Sequence, residues 1–514
     1  MPARLLLALL AALACAGALA APAAAERDAL DRALASGRIS QAAYALERAR
    51  SLTDLGAVRR RRPGAARPDG HDVTGILRDL RAAAPLLHGD ERREAERMLA
   101  RPSSGAGDAG LHGWPTGAAM ESLCAELCLH WIETGGAAPP PEDENADGVP
   151  DWVERSFAAL GTALARFDGL GYRRPRSDLA SAEPELDGRL DVYLGDLGRF
   201  GYFGYCTTDD DAAWYARRVS AYCVLDNDFL DPELRLGSPL TGLRATAAHE
   251  LFHAVQVSYD WLEDLWFMEG TATWMEDVAF PGVHDSLRYL RRSPIGRPHV
   301  PLDGYLYGTW IFWRYTAERL GPRVVRDTWE RAGRDTYSLA AALRAVEARD
   351  VSFPRLFSGF AAANRVPRTV YEEGHLYGRA RAFAAYGLGD ARPSVEGSTA
   401  IAHLASKTVA LLPVSGLGPR SLALDVTVGS GAASSRATAL VVRPGGDVER
   451  RRIALDAAGT GRVVVPFGAG VRRVDLVLVN AGTRYRCRRG TELSCGGVSL
   501  DDGRPFAFRA ALLR

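Results

Sequence analysis

His249, Glu250 and His253 stand in the order His-Glu-x-x-His within the stretch TAAHELFHAVQ. On a helix, residues four apart share a face, so both imidazoles can turn toward one metal ion. Zinc suits such a pair because it takes nitrogen ligands at about 2.0–2.1 Å in a tetrahedral arrangement. Glu250, displaced round the helix from His249, can take a proton from metal-activated water and pass it to a leaving amine. The flanking Ala247, Ala248, Leu251, Phe252, Ala254 and Val255 predict a buried helix that carries polar groups inward. Buried polar groups without partners are costly, and a metal supplies the partner. The bland alternative is an amphipathic helix with two histidines by coincidence.

A third protein ligand decides the type of zinc site. A metzincin needs a glycine three residues after the second histidine and a histidine six after it; Gln256 and Tyr259 stand there instead. Downstream candidates are Glu263, Asp264, Glu269, Glu276, Asp277 and His284. Glu263 and Asp264 lie in YDWLEDLWF, a predicted turn between helices, where the geometry is awkward. Glu269 opens the next helical run, EGTATWMED, sixteen residues past His253 and just after Trp266.

Together AAHELFHAVQ, WFMEGTATWMED and LYGTWIFWRYTAERLG resemble the gluzincins, zinc peptidases with a glutamate ligand on a second helix. Their aminopeptidase branch has a similar Trp-x-x-Glu-Gly-x-Ala run. The three runs look like a family of secreted metalloproteases known from myxobacteria and other bacteria, over most of residues 26–390. The resemblance implies zinc on His249, His253 and Glu269, with Glu250 as general base. It also implies a Tyr or His that stabilises the tetrahedral intermediate. Tyr307, in GYLYGTW, is the candidate, with Tyr305 behind it; a core aromatic is the other reading of Tyr307. One departure stands out. Thermolysin-type gluzincins carry an Asp four residues after the ligand glutamate to orient a histidine, and here that position is Thr273. Support for the histidines must come from elsewhere.

A second metal motif lies upstream. Asp143, Asn145, Asp147, Gly148 and Glu154 in DENADGVPDWVE fit the calcium-loop pattern Asp-x-Asn-x-Asp-Gly-x5-Glu. Asp151 adds an oxygen at the ninth place, and the Val149 carbonyl would complete the ligands of a structural Ca²⁺. The sequence GGAAPPPE before the loop leaves no entering helix, which argues for one structural loop over a paired sensor. The alternative is a solvated acidic turn.

These residues need a scaffold. MPARLLLALLAALACAGALAAPAAA reads as a signal peptide over residues 1–25, which takes Cys15 with it. Residues 26–110 read as a helical segment, either a removed propeptide or a structural leader, interrupted by the exposed, protease-sensitive linker RRRRPGAARPDGHD. Residues 111–390 read as an α+β, zincin-like catalytic domain: strands LCLHWIET, LDVYLGD and SAYCVLDNDF, then mostly helices. SAYCVLDND could be the edge strand along which a peptide pairs, or a core strand. Residues 393–514 read as an all-β sandwich of short β-branched runs between Gly-rich turns.

Composition narrows the function. There are 63 basic and 63 acidic residues, so nothing favours nucleic acid or an anionic membrane as partner. No later stretch is long and apolar enough to span a bilayer. The six remaining cysteines form three close pairs, Cys124 with Cys128, Cys206 with Cys223, and Cys487 with Cys495. Local disulfides are the simplest reading in an oxidising, extracellular or periplasmic compartment. A Gly-x-Ser-x-Gly elbow and a phosphate-binding loop are both missing. The expectation is a secreted zinc metallopeptidase acting on a peptide or protein substrate. The alternatives are a non-catalytic surface or carbohydrate-binding protein with a structural metal, or a zinc hydrolase of a non-peptide bond. Nothing in the sequence sets the oligomeric state or the ligand of the β-domain.

Overall fold

The computed structural model describes residues 28–104, 111–179, 187–214, 216–230, 237–334, 336–429 and 432–513. The expected signal peptide lies outside them.

Five helices form the N-terminal segment: α1 (Ala29–Ala35), α2 (Gln41–Thr53), α3 (Leu55–Arg61), α4 (Val73–Ala83) and α5 (Gly89–Met98). Local chemistry starts the first three. Asp28 and Asp31 make a reciprocal capping box, Ser40 accepts from the Ala43 N–H, and Asp54 from the Ala57 N–H. Arg59, Arg60 and Arg61 of the expected linker are exposed at the end of α3, but its far end turns inward and buries His71. The linker is therefore only half exposed, because its last residues fill space in the sheet domain.

A five-stranded sheet follows. It is built from β1 (Glu121–Cys124), β2 (Leu127–Trp131), β3 (Leu190–Gly195), β4 (Gly204–Thr207) and β5 (Tyr222–Asp226), with helix α6 (Asp151–Leu170) between β2 and β3. The order is β1-β2-β3-β5-β4; β2, β3 and β5 run parallel, and the two outer strands antiparallel. The strand SAYCVLDND therefore sits inside the sheet, between β3 and β4, and the edges are Glu121–Cys124 and Gly204–Thr207. Its fully buried residues on both faces are what a central strand requires. Along β5 the side chains alternate: Cys223 and Leu225 face the helical core, while Tyr222 and Val224 join Leu46, Leu77 and Leu80 of the N-terminal helices. The N-terminal segment thus covers one face of the sheet.

The other face carries α7 (Pro239–Asp260), α8 (Leu265–Ala279), α9 (Trp310–Leu320), α10 (Arg323–Ala332), α11 (Ser338–Glu347) and α12 (Phe353–Ala363). Ser238 caps α7 by accepting from the Thr241 N–H, with Pro239 at the first helical position. Aromatic stacking fixes α8: Trp266 lies 5.7 Å from Trp313 and Phe267 4.1 Å from Trp329, centroid to centroid.

The C-terminal part is two packed sheets and a small ribbon. Its strands are β6 (Ala384–Leu388), β7 (Ser394–Ile401), β8 (Ala405–Pro413), β9 (Arg420–Val428), β10 (Ser435–Val442), β11 (Val448–Ile453), β12 (Thr460–Phe467), β13 (Arg473–Asn480), β14 (Tyr485–Arg486), β15 (Val498–Ser499) and β16 (Arg504–Leu513). One sheet has the order β11-β10-β13-β8-β6 and the other β12-β9-β16-β7, with β14 and β15 paired apart. Val426, Val441, Leu476 and Phe508 are among the side chains between them. The β-structure begins at Ala384, ahead of the expected 393. The short run AAYGL pairs parallel with β8, and its glycine weakens the alternation that would reveal it. No helix among the described residues is long and apolar enough to cross a membrane.

Candidate metal centre

Helix α7 runs beneath β4 and β5, and the strand comes very close to it. A Cβ at Gly204 would lie 2.8 Å from Thr246 Cγ2 and 2.9 Å from Glu250 Cγ, so only glycine lets the edge strand lie across the helix. Gly270 does the same for α8: a side chain there would strike Thr309, which holds the turn carrying Tyr307.

Between these elements His249, His253 and Glu269 converge. One ligand atom from each lies within 4.8 Å of the others, and all three residues are fully buried. Glu269 Oε2 is 3.3 Å from His249 Nε2 and 3.5 Å from His253 Nε2. The opposite ring nitrogens are tied down. His249 Nδ1 is 2.7 Å from Glu276 Oε1, and His253 Nδ1 is 2.8 Å from Gln256 Oε1. Gln256 is oriented in turn, donating from Nε2 to the Met268 carbonyl at 2.8 Å and to Thr271 Oγ1 at 3.1 Å. Its oxygen can therefore only accept, so His253 Nδ1 carries a proton, and in the neutral ring Nε2 is the nitrogen with the free lone pair. Both rings are thus held with Nε2 toward Glu269, the arrangement that outer partners impose on metal-binding histidines.

Electrostatics follow from burial and these pairs. Burial raises Glu269, but the two histidines outweigh it and hold its carboxyl at about 2, ionised. Burial pushes Glu276 up to about 8 against the pull of His249. His249 itself stays well above its usual value because Glu269 and Glu276 overcome its burial. Burial also raises Glu250, against His253 and His249. Glu250 Oε1 and His253 Nε2 are buried with no hydrogen-bond partner. A cation among these atoms would satisfy the imidazole, so the donor set fits a metal ion.

The other third-ligand candidates are engaged elsewhere. Glu263 accepts from the N–H groups of Asp264 and Ser338, and Asp264 from the Cys495 N–H at 3.0 Å. Asp277 meets Ser286, and His284 lies 3.9 Å from Glu373. Tyr307 is buried with its ring centroid 6.1 Å from His249, and its hydroxyl donates to Asp72 Oδ1 at 2.9 Å. Tyr305 points away, donating to the Arg297 carbonyl. Sequence reasoning missed the roles of Glu276 and Gln256. Both signals were local, since Gln256 lies three residues after His253 and Glu276 seven after Glu269, each on the same helix face.

The 143–154 loop is built differently. Gly148, at φ +91°, folds the chain back, and Asp143 accepts from the N–H groups of Asp147 at 3.3 Å and Gly148 at 2.9 Å. Asn145 Oδ1 accepts from the Asp147 N–H and Asp147 from the Val149 N–H, while Asn145 Nδ2 lies 3.4 Å from Glu154 Oε2. Asp151 opens α6 and accepts from the Glu144 N–H. Among the described residues, the close ligand groups do not include this loop. A third group, Cys128, His130 and Asp191, is consumed otherwise. Cys128 is bonded to Cys124, and Asp191 pairs with Arg101 and with His130 at 2.9 Å. Cys206–Cys223 and Cys487–Cys495 are the other disulfides, so the cysteines pair locally. The first two bonds join residues directly opposite each other on paired strands.

No protein-family model and no curated protein matches the chain. Among solved structures, Aeromonas hydrophila PliG, a periplasmic inhibitor of g-type lysozyme, aligns at 10% identity over 25% of this chain and 96% of its own, with a TM-score of 0.16. The pre-peptidase C-terminal domain of a Bacillus anthracis collagenase aligns at 10% identity over 26% of this chain and 97% of its own, also at 0.16. Likenesses this weak bear on neither fold nor function.

Proposed function

We propose that the chain is a secreted, zinc-dependent metallopeptidase with a zincin-like, gluzincin-type site. The observation that carries this reading is the convergence of His249, His253 and Glu269 with both outer ring nitrogens already anchored and Glu250 alongside. Zinc bound there would polarise a scissile carbonyl and activate water. His249, His253 and Glu269 hold the ion, and Glu276 and Gln256 keep the rings in the ligating orientation. Glu250, raised by burial, accepts the proton of the attacking water and delivers it to the leaving amine. Tyr307 donates its hydroxyl to the oxyanion once that hydroxyl is free of Asp72. Gly204–Thr207, the antiparallel edge that lies over α7, is the strand along which an extended peptide pairs. In the same reading the 143–154 loop takes a structural calcium ion through Asp143, Asn145, Asp147, Asp151, Glu154 and the Val149 carbonyl.

The test is Glu250→Gln, assayed for zinc content and for hydrolysis of casein or a peptide library, as secreted and after limited proteolysis. The variant keeps stoichiometric zinc and loses chelator-sensitive hydrolysis. Hydrolysis equal to the wild type removes Glu250 from its role.

A further inference from the structure

The N-terminal segment reaches into the metal centre at residues 70–75. Gly70 accepts from the Phe203 N–H at 3.3 Å and fits against Phe203 and the Gly201 carbonyl so closely that any side chain would clash. The His71 ring then stacks on Phe203, centroids 4.3 Å apart, and comes 5.2 Å from the ring of His249. His71 is buried, and neither of its ring nitrogens has a hydrogen-bond partner. One ligand atom each from His71, His249 and Glu250 lie within 4.8 Å of one another, a group that shares His249 with the His249, His253 and Glu269 set, so coordination by His71 needs a further approach of its ring to that set. Two unpaired nitrogens on one buried imidazole are costly unless something at this point takes a lone pair.

The next residues engage the rest of the site. Thr74 Oγ1 donates to Glu250 Oε2 at 3.0 Å and accepts from the Cys206 N–H of the edge strand at 2.9 Å. Asp72 takes the hydroxyl of Tyr307. The metal cluster, general base, oxyanion donor and edge strand are each met by one short stretch.

We infer that residues 70–75 are a built-in occupant that holds the peptidase latent, with His71 as a fourth protein ligand to the metal. The inference rests on the metallopeptidase reading. Four protein ligands close a zinc site, whereas a catalytic site keeps one position open. Displacing His71 opens that position, and the same movement releases Glu250 from Thr74 and Tyr307 from Asp72. The switch would break one His71–metal coordinate bond, with water taking the vacated position, and no covalent bond of the chain changes.

The test loads the full-length secreted chain with Co²⁺ and follows its visible spectrum under azide titration. His71→Ala and His71→Phe are treated alike; the second keeps an aromatic ring on Phe203, and thermal unfolding verifies that it folds. All three chains bind one Co²⁺. The wild-type bands do not respond to azide, whereas both variants show shifted bands and bind azide at least about tenfold more tightly, with a parallel rise in casein hydrolysis. One Co²⁺ per chain with identical spectra and identical azide response overturns the latent switch and leaves the metallopeptidase reading standing. Failure of all three chains to bind stoichiometric Co²⁺ overturns both.

Discussion

Two stretches of this chain carry metal-binding patterns, and the fold treats them in opposite ways. On α7 and α8 the ligand atoms are fully buried; Glu250 Oε1 has no hydrogen-bond partner, and His253 Nε2 has only the Glu269 carboxylate, 3.5 Å away. In the 143–154 loop Asn145 and Asp147 are exposed, and the carboxylates are largely occupied by the loop's own N–H groups. The difference is that at the first stretch the motif spacing is joined by converging buried ligand atoms that a cation would satisfy, and at the second it is not. A cation at the first site relieves a standing cost. At the second it competes with hydrogen bonds and water, so it tightens a loop that already closes without it.

The largest effects belong to the buried cluster. His253→Ala or Glu269→Ala should abolish stoichiometric zinc, measured by elemental analysis after dialysis. Full retention in Glu269→Ala would put the third ligand elsewhere. Glu276→Ala should weaken zinc by about 10–100-fold in a chelator competition, the range for outer partners of ligating histidines. Glu276→Gln should recover part of that loss by still accepting from His249 Nδ1. No change in either variant would break the claim that Glu276 positions the ring.

A third histidine sharpens the comparison. His403, on the β-sandwich side, has both ring nitrogens facing carboxylates, Asp303 at 3.2 Å and Asp502 at 3.2 Å. It needs no metal, and those carboxylates overcome its burial and raise it from 6.5 to about 9. Its stabilisation is therefore complete below about pH 6.5 and lost as pH rises through about 9. The lost contribution is on the order of 3 kcal/mol. Tm should fall over that window in wild type and much less in His403→Gln, with or without chelator. Equal pH slopes in the two proteins would remove His403 as the cause.

The smallest effect is expected at the loop. With an extracellular-type Kd of roughly 10⁻⁴–10⁻³ M, 1 mM Ca²⁺ adds only about 0.4–1.4 kcal/mol. Thermal unfolding with and without Ca²⁺ should show a shift of a few degrees at most, absent in Asp143→Ala. A stabilisation far above this, or none, would redraw the contrast between the sites.

What could be read from sequence was what lies close in sequence. His249 and His253 are one helical turn apart and fall within helical spacing, whereas Glu269, on the next helix, is expected as a ligand only through the resemblance to gluzincins. Glu276 was visible as an acid on that helix, but spacing alone could not tell a ligand from the partner of a ligand's far nitrogen. Cysteine pairing was local and equally legible. Strand order was not: periodicity marks Tyr222–Asp226 as a strand but carries no information on its neighbours, so the edge beside it fell to Gly204–Thr207. The same limit hid Thr74, which meets Glu250 from 176 residues away. Only the folded sheet brings the N-terminal segment to the candidate metal centre.

The central claim is a zinc site whose general base is Glu250. Its most direct test measures zinc per chain and peptide hydrolysis together, in the wild type and Glu250→Gln, as secreted and after limited proteolysis. The account predicts one zinc in both proteins and chelator-sensitive hydrolysis only where Glu250 is present. A wild type without stoichiometric zinc, or equal hydrolysis in the two after limited proteolysis, would contradict it.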